Sequence, residues 1–310
     1  MKVKKKESIK VKLVHKEITR YGYLMGGIIV IFACFFLFVF IRDLQVRVKK
    51  ANEAKKIVAP YYEEKEFKRP VFLPTPASHE AVLEPVKIPI VMYHYVEYVQ
   101  DPGDFIRKRL DIVPGLFEKH LKDLKKAGYE TYYVRDVPDI ISGKIHYSTQ
   151  SAILSFDDGY EDFYTDVFPL LKKYHMRATF YPIYDFIGRK GFVTKAQIQE
   201  LVDSDLVEIG SHTLDHLYLK LVPDEVAKKQ IFESKKKLEE DFHIKVSTFA
   251  YPYGAMSPHA IQYVKDAGYT AAVSVISGTL QSDDNLFFLS RIRPGLFGEN
   301  IVRSIEAMKK

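Results

Sequence analysis

Two adjacent carboxylates, Asp157 and Asp158, stand between a short apolar segment and a glycine in Ser155–Gly159, which reads SFDDG. The apolar run that precedes them, Ala152–Leu154, predicts a buried strand that ends at the acids. Adjacent acids in this position can divide their work, because one can bind a metal ion while the other accepts protons. Asp-Gly is also a common turn dipeptide, since an aspartate side chain bonds nearby backbone. This segment alone therefore leaves both interpretations open.

Two histidines four residues apart, His212 and His216, follow a second strand-like run, Leu206–Ile209. On a helical turn this spacing would place both rings on one face, where they could bind one divalent metal ion, although such pairs also arise by chance. With Asp158 they form a set of two imidazoles and one carboxylate, which leaves a coordination position for water or substrate. We expect Zn²⁺, while the same ligands accept Co²⁺, Ni²⁺ or Fe²⁺. Asp215, between the histidines, is interpreted as a local cap or as support for a ligand.

Two further motifs end strand-like runs but carry weaker signals on their own. Tyr253 belongs to Thr248–Gly254, where aromatic residues, proline and glycine could simply form a rigid turn. His94 follows the run Ile88–Tyr93, and a solitary histidine is more often structural than catalytic. A catalytic role for either motif is supported only if it lies beside the acid pair and the histidine pair.

Strand-like runs alternate with amphipathic helices from about residue 86 onward, which predicts an α/β fold with a parallel sheet. About seven such units suit a (β/α) barrel better than an open sheet, and a barrel places its active site at the C-terminal ends of the strands. All four motifs lie at such ends. The predicted strands are Ile88–Tyr93, Glu130–Val134, Ala152–Phe156, Ala178–Ile183, Val207–Gly210, Thr248–Tyr251 and Thr270–Val275, with helices near 115–127, 161–174, 195–204, 224–241 and 258–267.

The motifs together resemble those of the polysaccharide deacetylase family, the carbohydrate esterases with a NodB-homology domain, also called carbohydrate esterase family 4. Ser155–Gly159 resembles the family's Thr-Phe-Asp-Asp-Gly motif, and His212–His216 resembles its His-Ser/Thr-x-x-His motif. Phe249–Gly254 resembles its Arg-x-Pro-Tyr-Gly motif, with Ala250 in place of the arginine. The resemblance covers roughly residues 86–300 and implies a distorted, often seven-stranded (β/α) barrel.

The resemblance also implies a role for each site residue. Asp157 would be the general base, and the backbone N–H of Tyr253 would help to bind the oxyanion. The implied metal ligands are Asp158, His212 and His216.

Two departures from the family pattern concern the general acid and an arginine. Many members have a late Leu-x-His motif that supplies the acid, whereas the matching stretch here, Leu289–Arg291, has no histidine. His94 instead resembles the early histidine of the branch that includes poly-N-acetylglucosamine deacetylases, and we predict it as the acid. We also predict that Arg291 replaces the missing motif arginine by reaching Asp157 from another strand.

The N-terminal part predicts a membrane anchor. Residues 21–41 contain no charged residue and are long enough to cross the bilayer as a helix. Arg20 and Arg42 flank this segment, with tyrosines where an interfacial belt would lie. We therefore predict a basic cytoplasmic tail (1–20), a single transmembrane helix (21–41), a proline-rich stalk (42–85) and a catalytic domain (86–310). Eight basic residues before the span and six soon after it favour a cytoplasmic N-terminus only weakly.

Charge and cysteine content narrow the classes of function. The first 56 residues hold 14 basic and 4 acidic residues, which leaves 32 basic and 36 acidic residues in the remainder. The basic character therefore belongs to the N-terminal tail and stalk, and no nucleic-acid partner is expected. The only cysteine, Cys34, lies in the predicted span. Cysteine nucleophiles and zinc–thiolate sites are thus excluded from the rest of the chain.

The sequence thus predicts an anchored, metal-dependent hydrolase outside the cell that removes N-acetyl groups from a polysaccharide such as peptidoglycan or poly-N-acetylglucosamine. Its expected partners are that polysaccharide and the lipid bilayer, and no protein partner is indicated. Two alternatives remain: an O-acetyl esterase with the same fold and site, and an inactive domain that binds glycan.

Overall fold

The computed structural model describes residues 84–101, 103–294 and 300–309. In these residues strands and helices alternate along the chain. The strands are β1 (Val86–Lys87), β2 (Ile90–Tyr93), β3 (Glu130–Tyr132), β4 (Ser151–Phe156), β5 (Ala178–Phe180), β6 (Val207–Ile209), β7 (Thr248–Ala250), β8 (Ala271–Ser277), β9 (Leu280–Gln281) and β10 (Leu289–Arg291). The α-helices are α1 (Phe105–Leu110), α2 (Pro114–Lys126), α3 (Val137–Ile141), α4 (Phe168–Tyr174), α5 (Lys195–Asp203), α6 (Asp224–Phe242), α7 (Pro258–Asp266) and α8 (Ile301–Lys309).

The strands form two main parallel sheets. The larger sheet has the order β2-β4-β5-β6, with β3 also paired to β4, and the smaller has the order β10-β8-β7. All pairs in these two sheets are parallel, whereas the short strands β1 and β9 pair antiparallel. This architecture confirms the predicted α/β fold class with parallel strands.

Single β-bridges connect the two sheets at both edges. Ser211, just after β6, pairs with Phe249 of β7, and Val91 of β2 pairs with Ile292, just after β10. The described residues therefore form two sheets joined by isolated bridges, and not one continuous sheet closed on itself. Among these residues no helix is long and apolar enough to cross a membrane, and the predicted tail, span and nearly all of the stalk lie outside them.

The strands of the core are buried on both faces and mostly apolar, as is usual for parallel strands covered by helices. All six residues of β4 are buried. Phe163 stacks on Phe180 with ring centroids 4.1 Å apart and meets Phe156 at 4.9 Å. Burying each such ring stabilises the fold by about 1.5–3 kcal/mol. This packing fixes the strand ends from which the predicted site residues extend.

One buried carboxylate links strands across the junction between the sheets. Glu208 of β6 accepts hydrogen bonds from Thr179 Oγ1 of β5 (2.7 Å) and Thr248 Oγ1 of β7 (2.9 Å). The backbone N–H of Arg135 also donates to it, at 3.2 Å. Burial raises the pKa of Glu208 above its ordinary value, although these donors partly offset the effect. The polar group is thus satisfied inside the core, which is the condition for burying it.

Candidate active site

The predicted site residues follow the C-terminal ends of neighbouring parallel strands. Asp157 and Asp158 follow β4, His94 follows β2, and Arg291 ends β10. Because Tyr93 of β2 lies opposite Phe156 of β4, the next residues on these strands, His94 and Asp157, emerge side by side. His212 follows β6, which is parallel to the other strands of this sheet, so its C-terminal end lies at the same edge.

The carboxylate of Asp157 is held by Arg291. Nη1 and Nη2 of the arginine donate to Oδ1 and Oδ2 at 2.8 and 2.7 Å, and both side chains are buried. The guanidinium also donates from Nε to the Ser274 carbonyl oxygen (2.7 Å) and from Nη1 to Ser155 Oγ (3.2 Å). The strand register shifts between Leu289 and Arg291, as at a bulge, which re-aims a side chain. The predicted contact is therefore present in the structure.

This ion pair controls the charge of Asp157. Burial would raise its pKa, but the charge and hydrogen bonds of Arg291 outweigh burial and lower the pKa below its ordinary value. The carboxylate is therefore ionised at neutral pH and can accept a proton. A buried carboxylate without such a partner would instead tend to take up a proton and become neutral.

Asp158, His212 and His216 form a compact cluster that could hold a metal ion. Asp158 Oδ1 lies 3.3 Å from His212 Nε2 and 3.2 Å from His216 Nε2, and the two ring nitrogens are 3.2 Å apart. Two ligand bonds of about 2.1 Å at a tetrahedral angle separate their atoms by roughly 3.4 Å. The three atoms thus have the spacing that one tetrahedral ion requires.

The protonation of His212 also suits a ligand. Its Nδ1 lies 2.8 Å from the Ala250 carbonyl oxygen, which can only accept a hydrogen bond, so Nδ1 carries a proton and Nε2, which faces Asp158, is the nitrogen that would bind the metal once it gives up its own proton. A second hydrogen bond of this kind orients most metal-binding histidines. Burial raises the pKa of Asp158, but hydrogen bonds from His212 and His216 outweigh burial and hold that pKa well below its usual range. The oxygen therefore remains an anionic ligand.

The segment that carries the histidines is a loop and not a helical turn. Residues 211–216 form no helix, and Thr213 and His216 adopt positive φ angles of 69° and 63°. Thr213 Oγ1 accepts the His216 backbone N–H at 3.0 Å, and Gln230 Oε1 accepts the N–H groups of Leu214 and Asp215. The two rings are thus brought together by loop conformation and not by helical spacing.

The capping contact in this loop comes from residues that sequence reasoning missed. Asp215, which was interpreted as a local cap, is exposed at the surface. Thr213 supplies the local hydrogen bond instead. Thr213 lies inside the motif, so its hydroxyl could have been considered. Gln230 lies on α6, and no spacing in the sequence connects it to the histidines.

His94 and Tyr253 lie at this same edge of the sheets. Burial lowers the pKa of half-buried His94 below its ordinary value, against the raising effect of Asp157 and Asp158. Tyr253 follows β7 in the short 3₁₀ turn Pro252–Gly254, with φ 57°, and its ring centroid lies 4.5 Å from that of His216. The structure thus brings all seven predicted site residues to one edge, while the catalytic roles of these two stay predictions.

Comparison with known proteins agrees with this fold and site. Residues 144–272 match the family described as polysaccharide deacetylase. The Bacillus subtilis protein YxkH, which carries a polysaccharide deacetylase name, is 32% identical over 228 residues, covering 73% of this chain and 78% of that protein. The Staphylococcus aureus poly-beta-1,6-N-acetyl-D-glucosamine N-deacetylase is 26% identical over 198 residues, covering 60% of this chain and 68% of the relative.

A solved structure shows the same fold. The Streptococcus pyogenes deacetylase PplD in complex with acetate superposes with a TM-score of 0.66 at 29% identity, covering 72% of this chain and 99% of that one. The parallel α/β architecture, the acid pair and the histidine pair suit a hydrolase, and the sequence matches identify the family. The chain belongs to the polysaccharide deacetylase family, which confirms the resemblance and the predicted class of enzyme.

Proposed function

We propose that this chain is a metal-dependent N-deacetylase that releases acetate from a polysaccharide containing N-acetylglucosamine. The observation that carries the proposal is that Arg291 holds the carboxylate of Asp157, the residue just before Asp158 of the three-ligand cluster. The name of the Staphylococcus aureus relative favours poly-N-acetylglucosamine as the substrate. Peptidoglycan is the second candidate, because it also contains N-acetylglucosamine.

Asp158, His212 and His216 would hold the metal ion, for which we propose Zn²⁺, with Co²⁺, Ni²⁺ or Fe²⁺ as alternatives. When bound, such an ion polarises a carbonyl oxygen and lowers the pKa of a coordinated water. The donor set fits this group, since it offers one anionic oxygen and two imidazole nitrogens at suitable separations. It also leaves room in a four-coordinate sphere.

The other residues of the site would move protons and stabilise charge. Asp157 accepts the proton of the attacking water, a step that contributes about 10²- to 10⁴-fold to the rate. The backbone N–H of Tyr253 donates to the oxyanion that forms on the acetyl carbonyl. His94 then donates a proton to the leaving nitrogen, because an amine anion leaves poorly. The products are acetate and a free amino sugar.

An O-acetyl esterase is the alternative activity of the same site. An ester has a better leaving group and needs the acid less, so the two activities differ in their dependence on His94.

A panel of substrates tests the proposal. The full-length chain is incubated with poly-N-acetylglucosamine, peptidoglycan, chitin oligomers and an O-acetylated polysaccharide that lacks N-acetyl groups, and released acetate is measured. We expect release from at least one of the N-acetylated glycans and its loss in a His94→Ala variant. Release from the O-acetylated glycan alone, with full activity in that variant, would establish the esterase instead.

We also propose that the chain is a single-pass membrane protein whose catalytic domain (86–310) lies outside the cell. Support comes from the uncharged segment 21–41, the basic residues on both sides of it and the prolines in 42–85. An extracellular polysaccharide would be accessible only to a domain on that side of the membrane.

For the fold, we propose that the two sheets are arcs of one distorted barrel of seven strands: β2, β4, β5, β6, β7, β8 and β10. Support comes from backbone hydrogen bonds at both junctions. The Ser211 N–H donates to Thr248 (2.9 Å), and the Ile292 N–H donates to Ile90 (2.8 Å). Slow hydrogen exchange at both amides would agree with closure, whereas fast exchange at either would indicate an open edge.

A further inference from the structure

The carboxyl group of Asp162 is buried next to the segment that carries His94, and the mechanism above does not use it. Its Oδ2 accepts the backbone N–H of Val96, two residues after His94. Its Oδ1 has no hydrogen-bond partner in the part of the chain that the structure describes. Val96 is completely buried, so no solvent could replace this acceptor.

The helix that follows Asp162 does not explain the burial of its carboxyl group. Asp162 precedes the π-helical turn Phe163–Val167, but its side chain makes no capping hydrogen bond there. Burial raises its pKa to about 7, so the group is held in a position that disfavours its charge. The backbone N–H groups of Val96 and Phe163 partly offset this effect, and the one from Val96 connects Asp162 to the segment that carries His94.

Tyr95, between His94 and Val96, also contacts the segment that contains Asp162. Tyr95 stacks on Tyr160 with ring centroids 3.8 Å apart and an interplanar angle of 20°. The Arg107 guanidinium covers the Tyr95 ring at 4.5 Å. Tyr160 and Asp162 both follow the acid pair closely in sequence, so one short segment supplies the base and also holds the residues after His94.

Sheet pairing by itself does not continue past His94 on this side. Strand β2 ends at Tyr93, and beyond it Tyr95 forms only an isolated bridge with Asp111. The chain that leaves His94 is therefore held by the contacts of Tyr95 and Val96, and one residue further on by the Glu97 N–H, which donates to Asp111 Oδ1 at 3.1 Å. A displacement of about 1 Å at a catalytic group can cost roughly 10²-fold in rate, so this support matters for proton transfer.

We propose that Asp162 is a positioning residue for His94: by accepting the Val96 N–H, it holds the imidazole where it can protonate the leaving nitrogen. The inference rests on the proposed function, in which His94 is the general acid. It assigns Asp162 no contact with the substrate. It requires an acceptor at this position and does not require a negative charge.

The test compares an acetamide with an ester that needs no acid. Full-length variants are assayed on an N-acetylglucosamine oligomer and on 4-nitrophenyl acetate, whose leaving group departs as a stable anion. His94→Ala should lower the amide-to-ester ratio of kcat by about 10²- to 10⁴-fold. Asp162→Leu, similar in size but without an acceptor, should lower the ratio by about 10- to 100-fold with little change in KM.

Two variants serve as matched controls. Asp162→Asn keeps an acceptor oxygen and should retain the wild-type ratio within about threefold, which a loss of charge alone would not predict. Glu161→Ala changes an exposed neighbouring acid and should leave both activities unchanged. Thermal unfolding and metal content are measured for every variant, and Asp162→Ala replaces Asp162→Leu if the latter does not fold.

The possible outcomes separate this inference from the proposed function. If His94→Ala lowers the ratio and Asp162→Leu does not, Asp162 does not position the acid and the inference is wrong. If His94→Ala also leaves the ratio unchanged, the acid assignment fails and the inference fails with it. If no folded variant without an acceptor can be obtained, Asp162 serves the fold and the inference is likewise overturned.

Discussion

At the scale of single residues, the chemistry depends on a charge that is stabilised from a distant part of the chain. Asp157 and Arg291 are 134 residues apart in sequence and form two hydrogen bonds in the core. Arg291 was predictable because Ala250 leaves a motif arginine missing, and a buried base still needs a cation. The bulge that aims Arg291 was not predictable, because it depends on the register of β10 with β8.

Replacing Arg291 by methionine should raise the pKa of Asp157, since burial would then act without the opposing charge. The acid limb of kcat/KM for 4-nitrophenyl acetate should move up by about 1–3 pH units, because the base must be ionised to work. A pH profile of the two enzymes measures this change. Arg293→Met, at an exposed arginine nearby, is the control, and an unmoved acid limb in Arg291→Met would contradict the role of the ion pair.

The metal-ligand assignment predicts a sharp difference between two aspartates in the site. Asp158→Asn should weaken zinc binding by at least about tenfold, because it replaces an anionic ligand in the cluster. Asp215→Asn should bind zinc as the wild type does, since Asp215 is exposed and does not belong to the three-ligand cluster. Calorimetric titration of the metal-free proteins measures both affinities, and equal affinities in the two variants would exclude Asp158 as a ligand.

At the scale of elements, apolar runs in the sequence predicted most strands of the two parallel sheets but not β10. Each of the seven predicted strands overlaps an observed one, because parallel strands read as continuous apolar segments. Strand β10 was absent from the strands predicted by apolar runs, since Leu289–Arg291 includes a serine and an arginine, although Arg291 was predicted to reach Asp157 from another strand. The conformation of the loop at His212–His216 could not be predicted from spacing, because it includes hydrogen bonds to Gln230 from a distant helix.

Glycine at position 159 should be required by both conformation and space. Gly159 has φ +84°, and a Cβ there would lie 2.9 Å from the Cα of Pro182. Gly188 has a similar φ of +82°, with nothing within 4 Å of such a Cβ. Gly188→Ala should therefore cost about 1–2 kcal/mol of unfolding free energy, and Gly159→Ala should cost about 1–3 kcal/mol more.

Urea unfolding of both variants gives the comparison. Gly159→Ala should also lower activity in the remaining folded protein, because the displaced backbone adjoins Asp158. Equal losses of stability at the two positions would show that the close approach to Pro182 is unimportant.

At the scale of the whole molecule, the anchor proposed for residues 21–41 determines where the enzyme acts. In fractionated cells, the full-length chain should remain with the membrane after washing in high salt, because an inserted helix does not depend on charge. Protease added to intact cells should cleave the catalytic domain if it lies outside. A chain found in the salt wash, or protected until the cells are broken, would contradict the proposed topology.

The most direct test of the central claim is acetate release by the full-length enzyme before and after removal of its metal. The account predicts release from N-acetylated poly-glucosamine that is lost on chelation, restored by Zn²⁺ or another divalent ion, and reduced by about 10²- to 10⁴-fold in Asp157→Asn. Undiminished release after complete metal removal, or full activity in Asp157→Asn, would contradict it.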